Sequence, residues 1–253
     1  MERSWTDSYF DSLEFFYWEP QHLGRKKHAD SRLDSIIKVR EHLRVMEVTL
    51  NHNFSQFLSL APREFRRQLF QRIFSSPFED DYVMHGRGVE EVYGLPQSTQ
   101  PDLFFTSPNQ VVSLEMKLSA KSSIEQVIKY ALLGLADEIA SGQEKHHYLV
   151  FLSPGAFSSL WKEGWNDVGQ LTSMLHKADI ASFLEKQPNK FRARLNRLRR
   201  IVETLTLGHL TYKDVTEFLH GIESSTTSNG GGAEVYRKLI NGLVGELKLR
   251  NLA

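Results

Sequence analysis

The sequence predicts an α/β fold: a mixed sheet of four or five strands flanked by helices, with helical additions at both ends. Three observations carry this. Between residues 31 and 74, apolar side chains (Leu33, Ile36, Ile37, Leu43, Val45, Met46, Leu50) recur at helical spacing. Residues 89–118 change to short strand-like runs separated by Gly, Pro, Ser and Asn. A helix at about 123–140 then leads to an apolar run at 147–152, ended by Ser153-Pro154-Gly155.

In chain order, the N-terminal stretch is aromatic and acidic (Tyr9-Phe10, then Phe15-Phe16-Tyr17-Trp18) and is expected to pack on a core, because aromatic side chains bury large areas. Pro62 divides the helical region into two helices. Val89–Tyr93, Asp102–Thr106 and Val111–Leu118 read as strands. Ser122-Ser-Ile-Glu125 carries a capping-box pattern at the start of the 123–140 helix. The remainder reads as helices at 156–186, 188–207 and 211–222, then a Ser/Gly linker at 224–232, then an amphipathic helix at 233–249. The expected organisation is a helical, aromatic region at 1–80 packing on the core, a core at 81–155, and a helical part with a basic helix at 156–223. The linker at 224–232 and a last helix at 233–253 complete it.

Composition excludes several classes of function. Lys plus Arg and Asp plus Glu both number 31, so net charge gives no reason for non-specific nucleic-acid binding and any such reading must rest on local charge. That charge is uneven: residues 190–200 carry Lys190, Arg192, Arg194, Arg197, Arg199 and Arg200 without one acid. As a helix with Leu195, Leu198 and Val202 on one stripe, this segment could lay arginines along a phosphate backbone. The absence of cysteine excludes disulfides, thiolate zinc sites and iron–sulfur clusters. No apolar run reaches membrane-span length and no signal-peptide pattern opens the chain, so a cytoplasmic protein without membrane contact is expected. His146 and His147 alternate to opposite faces of their strand, which argues against a shared metal site.

The most informative residues lie on the expected hairpin. In 111–118, Val112, Leu114, Met116 and Leu118 share one face, while Val111, Ser113, Glu115 and Lys117 share the other. Ser107-Pro108-Asn109-Gln110 is a turn sequence. If the turn is symmetric about Pro108 and Asn109, Asp102 stands directly opposite Glu115, with Cβ atoms roughly 5 Å apart. Two carboxylates at that distance repel unless a cation joins them, and a hard ion such as Mg2+ takes one or two carboxylates plus waters and phosphate oxygens. On the following helix, Gln126 and Tyr130 are four residues apart and share a face.

Pro101-Asp102, then Glu115-Met116-Lys117, then Gln126-Val-Ile-Lys-Tyr130 resembles the PD-(D/E)XK nuclease superfamily, in the branch with a QxxxY motif on the helix after the lysine strand. The resemblance covers about residues 89–152, roughly a quarter of the chain. It implies a restriction-endonuclease-like core at 81–155. It further implies Mg2+ or Mn2+ held by Asp102, Glu115 and the backbone carbonyl of Met116, and Lys117 orienting the nucleophilic water. Gln126 and Tyr130 would position the phosphate or the lysine. Cleavage would leave a 5′-phosphate and a 3′-hydroxyl. Arg192, Arg194, Arg197, Arg199 and Arg200 are the expected nucleic-acid contacts. Many family members add an acid from an upstream helix; Glu41, Glu47, Glu64, Glu90 and Glu91 are the candidates.

The expected function is metal-dependent hydrolysis of DNA, with RNA left open, in prokaryotic antiviral defence or a mobile element. A homodimer or other subunits of a defence complex are the protein partners that role would bring. The alternative is a catalytically inactive protein of the same fold that binds nucleic acid or a protein.

Overall fold

The computed structural model describes residues 4–18, 36–79, 81–86, 88–95, 100–225 and 231–253. Helices α1 (Trp5–Trp18), α2 (Ile36–Val45), α3 (Glu47–Leu60) and α4 (Arg63–Phe74) come first. Strand β1 (Val83–His85), the single-turn helix α5 (Val89–Val92), strands β2 (Leu103–Thr106) and β3 (Gln110–Met116), helix α6 (Ile124–Ser141) and strand β4 (His146–Ser153) follow. After them come α7 (Val168–Leu175), α8 (Ile180–Glu185), α9 (Asn189–Arg192), α10 (Leu195–Thr204), β5 (Thr206–Thr211), α11 (Tyr212–Ser225) and α12 (Gly231–Leu249). The chain forms two units: Pro62–Thr211, which holds the whole sheet, and a helical unit made of Met1–Ala61 with Tyr212–Ala253. Most of the Ser/Gly linker expected at 224–232 lies outside the described residues.

The fold is α/β, with five strands in the order β1-β2-β3-β4-β5. β2 pairs antiparallel with both β1 and β3, whereas β3, β4 and β5 run parallel. Ser107 closes the β2–β3 hairpin: its N–H donates to the Gln110 carbonyl at 2.8 Å and its Oγ accepts from the Gln110 N–H at 3.0 Å. Parallel strands need a long crossover, and α6 supplies the one from β3 to β4. Ser123 starts this helix, its Oγ accepting from the Gln126 N–H at 3.2 Å, and Gly142 ends it in the left-handed region (φ +70°). The cap is thus one residue later than the Ser122–Glu125 pattern suggests.

Both faces of the sheet are covered, so every residue of β3 is buried. On one face Val111, Leu149 and Phe151 pack with Val127, Ala131 and Leu135 of α6 and Leu198, Ile201 and Val202 of α10. On the other, Phe70 of α4 meets Phe105 (centroids 5.5 Å apart) and Phe74 meets Tyr148 (4.9 Å). Gly208 in β5 allows α4 to lie this close, since a Cβ there would stand 2.5 Å from Ile73 Cγ2. Gly134 does the same for α6: the His147 ring occupies the place its side chain would take.

Several elements depart from the expectations. The helical stretch before Pro62 is interrupted at Met46, and the helix expected at 156–186 is a single turn at Phe157–Leu160 followed by the separate α7 and α8. Val89–Tyr93 is a helical turn, not a strand: Gly88 (φ +84°) turns the chain, and the Glu91 and Val92 N–H groups bond back to its carbonyl. Strand β1 is only three residues long and carries no alternation to read. The helix expected at 188–207 breaks at Ala193–Arg194 and stops at Thr204; Thr206–Thr211 is strand β5, whose Gly208 weakens any strand signal.

In the helical unit, Phe10 is fully buried with Val39 and Leu43, and the guanidinium groups of Arg44 and Arg250 lie 5.2 and 5.9 Å from its ring centroid. Buried Glu246 accepts from Arg250 Nε at 2.7 Å. Tyr9 and Phe10 thus pack within the helical unit; the side chains of residues 14–18 lie outside the described residues.

A second buried carboxylate, Glu138, holds the C-terminal half of α6. It accepts from Arg197 Nε (2.7 Å), the Lys145 N–H (2.8 Å) and His147 Nε2 (2.8 Å). Burial alone would raise its pKa, but the bonds from Arg197, His147 and Lys145 outweigh burial and hold it at about 2. A depressed carboxylate stabilises the fold above its unfolded-state pKa and loses that contribution as pH falls through its folded value. Glu138→Gln should therefore be less stable than wild type at neutral pH. The loss should be smaller than the roughly 3–5 kcal/mol of breaking a fully buried pair, because Arg197 also reaches Glu144 (3.0 Å). Urea midpoints should converge as pH drops from about 4.5 to about 2; a gap unchanged at the acid end would contradict this assignment.

Candidate active site

The hairpin register is the one symmetric about Pro108 and Asn109: Leu103 pairs with Leu114, Phe104 with Ser113, Phe105 with Val112 and Thr106 with Val111. One step further, the same register sets Asp102 against Glu115. Asp102 lies just before β2 because its carboxylate folds across the hairpin and accepts from the Met116 N–H at 2.7 Å. Buried Pro101 precedes it.

Glu115 is 3% exposed, and an isolated charge there would be costly. Three side chains meet it. Lys117 Nζ and Gln126 Nε2 both contact Oε1, and the Tyr130 hydroxyl donates to Oε2. Lys117 follows two residues later on the same face of the strand, and its backbone N–H continues the ladder to the Leu152 carbonyl at 2.8 Å. Gln126 is the third residue after the Ser123 cap, a position whose side chain often turns back to the cap itself; here it crosses to the sheet instead. Tyr130 follows one turn later on the same helix face and is buried. Burial, then the carboxylates of Glu115 and Asp102, push its pKa well up, so it stays a neutral donor. Both acids thus surround one hydroxyl.

The structure brings Asp102, Glu115, Lys117, Gln126 and Tyr130 together. It does not bring Arg197 to them: that side chain joins Glu138 and Glu144, and Glu138 lies twelve residues, about 18 Å, along α6 from Gln126. Arg192, Arg194, Arg199 and Arg200 are exposed on α9, α10 and the turn between them. Among the candidate upstream acids, Glu64 is exposed and bound to Arg67 and Gln68, and Glu91 is exposed. Glu90 is buried with its Oε2 lacking a hydrogen-bond partner, while Glu41 and Glu47 belong to the helical unit.

The donor set at the hairpin consists of carboxylate oxygens, which suits a hard cation such as Mg2+. Among the described residues no group of three or more His, Asp or Glu could hold a metal ion. A cation here would therefore complete its shell with backbone carbonyl, water or substrate oxygens, as Mg2+ usually does.

Two polar residues on the same side of the sheet escaped the sequence reading. Ser153 ends β4 and His209 lies within β5, with Ser153 Oγ 2.8 Å from His209 Nε2. Because Glu115 pairs with Phe151 and Phe151 with His209, the imidazole stands two strands from Glu115, about 10 Å away. Recognising β5 as a strand is the signal that would have found it.

The Tyr130 hydroxyl makes a charge-assisted bond in a buried place, and such bonds contribute about 1.5–3 kcal/mol. Tyr130→Phe should lose about that much stability in chemical denaturation, and a Glu115→Gln background should shrink the loss. Equal losses in both backgrounds would show that the two groups do not act together. No family model matches the chain, and neither a curated protein nor a solved structure shows significant similarity to it.

Proposed function

We propose that the protein is a metal-dependent nuclease of the PD-(D/E)XK type, in the branch with a QxxxY helix and a restriction-endonuclease-like core, hydrolysing DNA phosphodiester bonds. The observation that carries this reading is the meeting of Lys117, Gln126 and Tyr130 on the buried Glu115 carboxylate, with Asp102 bonded to the neighbouring Met116 N–H. Asp102, Glu115 and the Met116 backbone carbonyl are the groups that would hold Mg2+ or Mn2+. Such an ion, when bound there, would lower the pKa of a coordinated water and offset charge on the phosphate.

The chain's own residues do the rest. Lys117 holds the nucleophilic water and favours its hydroxide form. Gln126 and Tyr130 hold the Glu115 carboxylate in one orientation, leaving the cation little reorganisation to impose. The exposed Arg192, Arg194, Arg199 and Arg200 supply cations for the phosphate backbone. By analogy of type, the biological setting is prokaryotic antiviral defence or a mobile element, in the cytoplasm, with DNA as partner and a homodimer or other defence subunits as protein partners.

A second reading, a catalytically inactive protein of the same fold that binds nucleic acid or a protein, is favoured by one observation. Glu115 already has three side-chain partners, and among the described residues no third acid joins the pair.

Calorimetric titration with Mg2+ and a cleavage assay separate the two readings. Wild type should bind Mg2+, and both Asp102→Ala and Glu115→Ala should abolish that binding. Lys117→Ala should keep the metal and the fold but cut DNA at least about 100-fold more slowly, as expected for loss of a group acting in proton transfer. Metal binding without any cleavage by wild type would favour the binding protein. Absence of metal binding in wild type would end the nuclease reading.

A further inference from the structure

The segment after β4 builds a wall of rings beside the site. Phe151 is the β4 partner of Glu115 and shares its face of the sheet. Trp161 packs edge-on to Phe151 with centroids 5.2 Å apart, and Trp165 lies against Trp161 at 5.1 Å. Phe157 lies 5.6 Å from Trp161 on its other side and meets His209 of β5 at 5.7 Å. Trp161 is tied to the site from a second direction. Its backbone bridges Ser122, the residue before the cap of the helix whose Gln126 reaches Glu115.

Phe151, Phe157 and Trp161 are buried, whereas Trp165 and His209, at the two ends of the wall, are partly open to solvent. Two exposed lysines stand on the same stretch: Lys162, directly after Trp161, and Lys121, whose Nζ bonds to the Ser159 carbonyl. Aromatic faces interleaved with cations are what an unpaired nucleic-acid strand needs. Its bases offer free π-faces, its phosphates attract the lysines, and every base can stack. A paired duplex keeps those faces inside its own stack. The arginines of α9 and α10 have the opposite character: they are cations without an exposed ring among them, suited to backbone contact alone.

We infer that the open ring of Trp165, backed by the buried rings of this wall, is a stacking platform, and that the nucleic acid entering the site is unpaired there, with Trp165 taking one of its bases. The inference rests on the nuclease reading for the identity of the site, but the platform has its own test. Trp161 backs Trp165 and holds its ring in one orientation, so little order is lost when a base stacks.

The test uses the full chain with Asp102→Ala, so that nothing is cut. Fluorescence anisotropy follows binding of labelled oligo-dT, the same length of abasic phosphodiester, and a blunt duplex. Oligo-dT should bind more tightly than the abasic strand. Trp165→Leu, which keeps an apolar side chain against Trp161, should weaken oligo-dT binding by about 5- to 150-fold for one lost stack. The same change should leave abasic and duplex binding unaltered, and Trp165→Phe should restore most of the loss. Thermal unfolding of the leucine variant should match its parent, which separates stacking from packing. Equal affinity of Trp165→Leu and its parent for oligo-dT, or a preference for the duplex, would overturn the platform. Cleavage by wild type with no Trp165 effect removes the platform and keeps the nuclease; Trp165-dependent binding without cleavage removes the nuclease and keeps the platform.

Discussion

The Glu115 carboxylate is the constraint around which the sheet unit is arranged. A charge buried to this degree persists only where donors reach it, and the three that do come from two different elements. Lys117 is available because strand alternation returns to the same face after two residues. Gln126 and Tyr130 are available because α6 begins at Ser123, which turns one helix face toward the strand. A cap one residue earlier or later would rotate that face by about 100° and carry both donors away from the carboxylate. Cap, strand register and buried acid therefore depend on one another.

The other half of α6 repeats the device with different residues. Glu138 gathers Arg197, His147 and the Lys145 N–H, while its neighbour Asp137 accepts from Tyr93 at 2.7 Å and pairs with Lys145 at 2.7 Å. These partners come from α5 and its following turn, the start of β4, and α10. A carboxylate-centred cluster thus fastens each half of the helix. The first is built from one strand and the helix itself; the second draws in surrounding elements and takes Arg197 out of the basic surface.

Much of this was legible in the sequence because it depends on short-range geometry. The Ser107–Gln110 turn and the two-residue period of β3 were enough to align Asp102 with Glu115, and the four-residue spacing of Gln126 and Tyr130 put them on one face. What was not legible depends on neighbours distant in sequence. Val89–Val92 has an apolar residue at each end, which suits a strand as well as a helical turn, and only the conformation of Gly88 decides between them. Strand β5 contains a glycine that local preference counts against a strand, yet Ile73 and Phe74 require it. The engagement of Arg197 was hidden for the same reason, since Glu138 lies 59 positions away.

The glycine at position 134 has a consequence for how the site can respond to what enters it. With the His147 ring seated in the notch on the helix and charged clusters on either side of that notch, α6 is keyed to β4 and cannot slide along the sheet without losing all three fits. Glu115 inherits that fixity. Asp102 is held by another device: it lies outside β2, is half-buried, and its carboxylate accepts from the Met116 N–H across the hairpin. The two acids are therefore fixed by unlike means, one by side chains of strand and helix, the other by the backbone of the facing strand.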